Sequence, residues 1–182
     1  MFFRKNPFNG GFSVFAGIET LLDTIVDFRF SEEDIEYLKE QKIFEQGFLD
    51  YLKDFKFTGD LYSMAEGTVI FPQEPLVRIH AKLIEAQILE GLVLNFINFQ
   101  SLIATKTSRI WLASKKAPIM EFGLRRAQGP SGAMVATRAA YIGGAAGTSN
   151  TLAGKLYGIP VMGTMAHSWI MSHSSELEAF RE

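Results

Sequence analysis

Three stretches in the second half of the chain carry the side chains best suited to chemistry: "EFGLRR" (121–126), "GTSN" (147–150) and "GTMAH" (163–167). Each follows a short apolar run and contains a glycine. In the first, Phe122 can stack on a flat heteroaromatic ring while Arg125 or Arg126 meets a carboxylate or phosphate in a two-point hydrogen bond. The competing reading puts Phe122 in the core and the arginines in surface ion pairs. In the second, Thr148 and Ser149 offer hydroxyls and helix-start amides to an anion, and a plain helix cap would look the same. In the third, His167 is the nucleophile and base of the segment. A neutral imidazole nitrogen can remove a proton or accept a phosphoryl group; a structural histidine is the alternative. His173, six residues on, does not fit a HEXXH-type zinc spacing, and no carboxylate follows until Glu176. No metal site made of protein ligands is therefore expected. His80, at the end of an apolar run, reads as structural.

These stretches need elements to hold them. After Pro118 the pattern predicts strand and helix in alternation: "PIMEFG" as a strand and "SGAMVATRAAYIGG" as a helix of small residues ended by glycines. "GTSNTLAGKLYG" follows as a helix capped by Thr148, Ser149 or Asn150, then "IPVMGT" as a strand and "SSELEAF" as a helix capped by Ser174 or Ser175. Ligands of such α/β units gather at the carboxyl ends of the strands, where all three stretches fall. About three such units fit before Glu182, fewer than a closed eight-stranded barrel requires. Either the sheet is open and small, or the sequence stops partway through a larger fold.

The first half reads differently. "NPFNGGF" is turn material, and "IETLLDTIVDF" spaces Ile18, Leu21, Leu22, Ile25 and Val26 as a helix does. "SEEDIEYLKE" opens with Ser31 as N-cap and Asp34 three residues on, an acidic capping box, and "FLDYLKDF" is a second short amphipathic helix. "GTVIF" and "LVRIH" flank "PQEP", which predicts two strands joined by a Pro-bounded turn. Lys82 to about Ser114 reads as helix with one break or bend, apolar almost all round as in a helix buried on several sides.

Composition narrows the classes. The chain has 182 residues, 47% hydrophobic and 21% charged, as ordinary globular proteins do. Its net charge of -2 gives no overall attraction to nucleic acid. From Ser101 to His173, however, eight basic residues stand against one acid, Glu121. That local excess suits a phosphate or carboxylate, or simply a solvated basic face. The absence of cysteine rules out disulfides and thiolate chemistry and agrees with a reducing, cytoplasmic setting. "MFFRKNPFNGGF" lacks the apolar stretch of a signal peptide. "LIEAQILEGLVLNFINFQSLIA" is interrupted by Glu85, Gln87, Glu90, Asn95, Asn98 and Gln100, so a soluble protein without a membrane span is expected.

Six blocks together resemble the nicotinate phosphoribosyltransferase family, in its order and spacing: "FFRKNPFNGGFSVFAGIE", "FRFSEEDIEYL", "FTGDLYSMAEGTVIFPQEPLVRI", "EAQILEGLVLNFINFQSLIATK", "EFGLRRAQGPSGAMVATRAAYIGGAAGTSNTLAGKLYGIPV" and "GTMAHSW". The resemblance implies an α/β fold: an α+β N-terminal domain over 1–115, then, over 116–182, the first strand–helix units of an incomplete, irregular TIM-like barrel. It implies that nicotinate and phosphoribosyl pyrophosphate give nicotinate mononucleotide and pyrophosphate in NAD salvage, with ATP hydrolysis coupled through a phosphohistidine and Mg²⁺ as cofactor. By the same resemblance His167 is the phosphoryl acceptor, Thr164 touches nicotinate, and Phe122 and Arg125 match positions that, in the related nicotinamide-using enzymes, stack on the pyridine ring and bind phosphate. Ser149 stands where nicotinamide-using relatives carry an aspartate, which favours the acid over the amide. His173 falls where relatives carry an aromatic and is read as incidental.

The family's enzymes are homodimers, implied here for the full-length protein. They carry, before the point where the match begins, an Asp-Leu-Tyr-Gln motif whose tyrosine covers the ring from the partner subunit, and they run on past "SELEAFRE". On that resemblance the chain is an internal portion of such an enzyme or the product of a truncated gene. Two other readings stand beside it: an inactive fragment serving only as a binding or assembly module, and a related transferase that uses nicotinamide.

Overall fold

The computed structural model describes residues 1–182. Helix α1 (Ile18–Asp27) buries Ile18, Leu21 and Ile25, three of the positions its periodicity singled out. Helix α2 (Glu32–Glu40) begins with the expected box: the Ser31 hydroxyl accepts from the Asp34 amide and the Asp34 carboxylate accepts from the Ser31 amide. Helix α3 (Gln46–Lys53) packs on α2 through Ile35, Leu49 and Leu52.

The two strands around "PQEP" form, but not as neighbours. Strand β1 (Ser13–Val14) pairs antiparallel with β3 (Val69–Ile70), and β2 (Asp60–Ser63) pairs antiparallel with β4 (Val77–His80). Pro72 and Pro75 have no amide to give a ladder, and Gln73 between them is left-handed at φ 69°. The first residues of the chain take the vacated partners: the Gln73 amide donates to Phe3 O (2.9 Å) and the Leu76 amide to Met1 O (3.0 Å). His80 is exposed at the end of β4, its Nδ1 3.8 Å from Asp60 Oδ2.

Helix α4 (Leu83–Ala113) is one uninterrupted element of 31 residues, not the broken helix its sequence predicts. At 1.5 Å per residue it is about 46 Å long. Leu89, Val93 and Ile97 close the main core with Phe15, Leu21 and Ile70. By length and composition α4 could cross a bilayer, but Gln87, Glu90, Asn95 and Asn98 are exposed along it, and its buried polar side chains bond within the chain. Ser101 Oγ accepts from the Ala16 amide (3.0 Å), Thr105 Oγ1 from the Val14 amide (2.8 Å), and Gln100 Nε2 donates to Thr20 Oγ1 (2.9 Å). Buried Glu85 accepts from the amide and hydroxyl of Thr58 (2.8 and 2.9 Å). Those bonds, the amide foremost, hold its carboxyl below the usual glutamate range against the opposing effect of burial, with Lys82 adding to them.

Beyond a turn at Ser114–Lys116 the chain becomes parallel. Strand β5 (Met120–Glu121) pairs with β6 (Gly147–Thr148), and β6 with a single bridge at Val161, the remnant of the longer strand expected over "IPVMGT". Helix α5 (Gly129–Ile142) connects β5 to β6 and packs along α4; α6 (Thr151–Tyr157) connects β6 to Val161. Asn150 is the α6 cap, accepting from the Ala153 amide at 3.2 Å. Helices α7 (His167–Met171) and α8 (Glu176–Ala179) follow, the latter capped by Ser175. The result is a mixed, helix-rich α/β fold.

Candidate active site

The order β5, β6, Val161, all parallel, sends three connections off one edge of the small sheet. Phe122 leaves β5, Ser149 leaves β6, and Thr164 and His167 follow Val161. The first two are tied directly: the Ser149 amide donates to Glu121 O at 3.0 Å. Phe122 is about one-third exposed and not in the core, and Ser149 is exposed. Arg125 lies in a single 3-10 turn, Leu124–Arg126, exposed and without an intramolecular hydrogen bond or ion pair, so its guanidinium is free for an anion. Arg126 is engaged, donating to Phe122 O at 3.1 Å.

Thr164 lies in the irregular stretch between Val161 and α7, and His167 is the first residue of α7; both are exposed. No hydrogen bond or ion pair joins either to Phe122, Arg125 or Ser149. A cleft of about 490 Å³ between the β5–α5 and β6–α6 connections is lined by Leu124, Ala127, Met134, Ser149 and Leu152 among others, and brings in Ser149 alone of the five candidates. A groove of about 520 Å³ between α2 and α3 contains none of them.

Part of the basic excess is engaged within the chain. Arg109 donates to Phe8 O (2.9 Å) and lies 5.6 Å from that ring, Lys106 lies 5.9 Å from it, and Lys116 stands 5.4 Å from the Trp111 ring. Arg138 is buried against two acids: it donates to both Glu66 oxygens (3.0 and 2.6 Å) and to Glu19. Burial alone would raise the Glu66 carboxyl, but the Arg138 hydrogen bonds, the Gly17 amide at 2.6 Å and the Arg138 charge together hold it below the usual range. This pair fastens α5 to the start of α1, and the Arg138 charge is balanced within the chain.

Residue-by-residue reading of the sequence missed Glu121. Its carboxylate accepts from Thr148 Oγ1 (2.7 Å), from Thr137 Oγ1 (3.0 Å) and from the Gly123 amide. Thr137, Thr148 and Asn150 are all buried, and Asn150 completes the network, its amide donating to Thr148 Oγ1 (3.0 Å) and its Nδ2 to Thr137 Oγ1 (3.4 Å). One signal was available: Glu121 is the sole acid in a long basic stretch. His173 is a local prop, with Nδ1 2.8 Å from Trp169 O and its ring 4.7 Å from the Trp169 ring.

Comparison with known proteins shows the family. The profile of the nicotinate phosphoribosyltransferase (NAPRTase) N-terminal domain matches residues 1–98, and that of the NAPRTase family matches 117–182. The chain is 45% identical over 180 residues to a nicotinate phosphoribosyltransferase of Mycobacterium tuberculosis, covering 99% of this chain and 39% of that protein. It is 48% identical over 182 residues to that of Caenorhabditis elegans, covering 98% of this chain and 32% of the relative. The crystal structure of human nicotinic acid phosphoribosyltransferase superposes with a TM-score of 0.86 at 36% identity, over 95% of this chain and 35% of that one. A nicotinate-nucleotide pyrophosphorylase from Pyrococcus furiosus superposes with a TM-score of 0.79 at 26% identity, over 99% and 39%. The chain thus spans less than half the length of the relatives it matches. With both profiles matched in order and the fold shared, this chain belongs to the nicotinate phosphoribosyltransferase family.

Proposed function

We propose that the chain carries part of the active site that joins nicotinate to phosphoribosyl pyrophosphate in NAD salvage. The nicotinate ring nitrogen attacks the anomeric carbon, the bond from that carbon to pyrophosphate breaks, and pyrophosphate leaves. Phe122 stacks on the pyridine ring, Thr164 and Ser149 border it, and Arg125 meets the phosphate charge. A serine at 149 tolerates the nicotinate carboxylate, where an aspartate would repel it.

ATP enters through His167. A ring nitrogen attacks the γ-phosphorus, the bond to the β–γ bridging oxygen breaks, ADP leaves, and water later hydrolyses the phosphohistidine. The family implies Mg²⁺, yet nowhere do three His, Asp or Glu side chains converge to hold an ion. In this reading the ion accompanies the substrates' phosphates, and no step is routed through it.

The observation that supports the proposal most is the parallel order β5, β6, Val161, which directs the connections bearing Phe122, Ser149 and His167 to one edge of the sheet. The wider reading is a soluble cytoplasmic protein, a homodimer at full length, with residues 1–115 as an α+β domain and 116–182 as the first units of an irregular TIM-like barrel. It contacts neither nucleic acid nor membrane.

The test is incubation with γ-labelled ATP and Mg²⁺. Acid-labile label is expected on the parent chain and not on His167→Ala. A folded parent that takes up no label would overturn the phosphohistidine and leave a second reading ahead, a module that binds or assembles without turnover. Exposed Leu152, Leu156, Met171 and Phe180 favour that alternative, since apolar side chains turned to solvent suit association. Calorimetry with nicotinate and nicotinamide separates the acid from the amide as substrate, and preference for the amide would reverse the argument from Ser149.

A further inference from the structure

We infer that Glu121 is a positioning residue whose carboxylate sets the spacing between Phe122 and Ser149. The inference rests on the nicotinate reading above. Phe122 lies between Glu121 and Gly123, and the Glu121 side chain folds back across the turn to accept the Gly123 amide. Ser149 lies between Thr148 and Asn150. Thr148 donates its hydroxyl to the same carboxylate at 2.7 Å, and Asn150 donates its amide to that hydroxyl at 3.0 Å. One side chain therefore holds a neighbour of each ligand-facing residue, and through Thr137 Oγ1 (3.0 Å) it anchors both to α5.

Two details single out a carboxylate. All three donors are uncharged, so the group serves as a multiple acceptor and not as half of an ion pair. A glutamine would have one oxygen for three donors, leaving a threonine hydroxyl or the Gly123 amide without an acceptor. The turn is also fitted around the group: a Cβ at position 123 would stand 2.7 Å from Glu121 Oε1, so glycine there leaves room for the carboxylate. With Thr137 and Thr148 buried, water cannot readily substitute for the lost bonds.

The experiment compares the full chain with Glu121→Gln and, should that variant not fold, with Thr148→Val, which keeps the shape and removes the hydroxyl. Amide hydrogen exchange is read at Gly123 and Ser149, and affinity for nicotinate and for phosphoribosyl pyrophosphate by calorimetry. The expected result is exchange faster at both amides and nicotinate affinity lower by about tenfold, the scale of one lost hydrogen bond to a charged group. Affinity for phosphoribosyl pyrophosphate, which reaches the turn only through Arg125, falls several-fold less. Equal loss for both ligands would show a merely structural role, and unchanged nicotinate affinity or unchanged exchange would overturn the inference outright. A parent chain that binds no nicotinate overturns the substrate reading and this role with it, while the exchange data still report separately whether the carboxylate clamps the turn.

Discussion

Residues 1–113 bury large apolar side chains, among them Phe15, Leu21, Ile70, Leu89 and Ile97, whereas residues 117–182 bury alanine, glycine, threonine and Asn150, with Ile159 the one large aliphatic. The two solutions do different work. Bulky burial yields free energy in proportion to area, roughly 25 cal/mol per Å², and suits a scaffold. Small residues yield little of it, but they let helix and strand backbones come close enough for hydrogen bonds to fix where each strand ends. The second region is thus organised around the Glu121 network and its strand edge, and it leans on the first for support. Arg138 and the α4–α5 contact are the two main points of attachment.

The comparison breaks most severely in the scaffold. Phe15 is fully buried, and Phe15→Ala should cost about 3–5 kcal/mol in urea unfolding; a loss below 1 kcal/mol would mean that the cluster does not carry the fold. Next comes the seam. A Cβ on Gly143 would overlap the carbonyl oxygen of Ala104 and stand 2.9 Å from its Cα, so Gly143→Ala should force α5 off α4 at a cost of about 1–3 kcal/mol, seen as a lower Tm. An unchanged Tm would show that the seam yields freely.

The smallest effect concerns acid. Every carboxylate held below its usual range (Asp34, Asp50, Glu66 and Glu85) belongs to the first region. A depressed folded value gives stability that is complete above the ordinary value, 4.5 for the two glutamates, and is lost as pH falls through the folded value. Unfolding free energy should therefore be flat above about pH 5 and decline below about pH 4.5, with the decline made shallower by Glu66→Gln or Glu85→Gln. A decline that survives both substitutions would assign the acid sensitivity elsewhere.

What could be read in advance follows the range of the interactions. The α1 periodicity, the Ser31–Asp34 box and the small-residue helix expected over 131–144 depend on neighbours a few residues apart; all three formed, the helix two residues earlier, at 129–142. Pairing around "PQEP" depends on which distant backbone competes, so the local pattern pointed to a hairpin while Met1–Phe3 claimed the amides. The expected break in α4 failed to appear: Gln100, Ser101 and Thr105 bond to the segment from Val14 to Thr20, while Asn95 and Asn98 face solvent without interrupting the helix. At the site, "PIMEFG" foretold β5, whereas β6 at Gly147–Thr148 lies in a stretch read as a helix cap, and the strand expected over "IPVMGT" is reduced to the bridge at Val161. The Glu121–Thr137–Thr148–Asn150 network stayed hidden because three of its four bonds span 13 to 27 residues with no fixed spacing.

The long helix α4 has a consequence for how this protein is made. Leu89, Val93 and Ile97 complete the cluster begun by Phe15, Ile18 and Leu21, so a growing chain that has reached only residue 82 has no lid for its oily centre. Until the ribosome releases that rod, the apolar faces of the early segments stay open to other contacts. Once it emerges, they can clasp it from one flank, leaving the other for α5 when that helix is born.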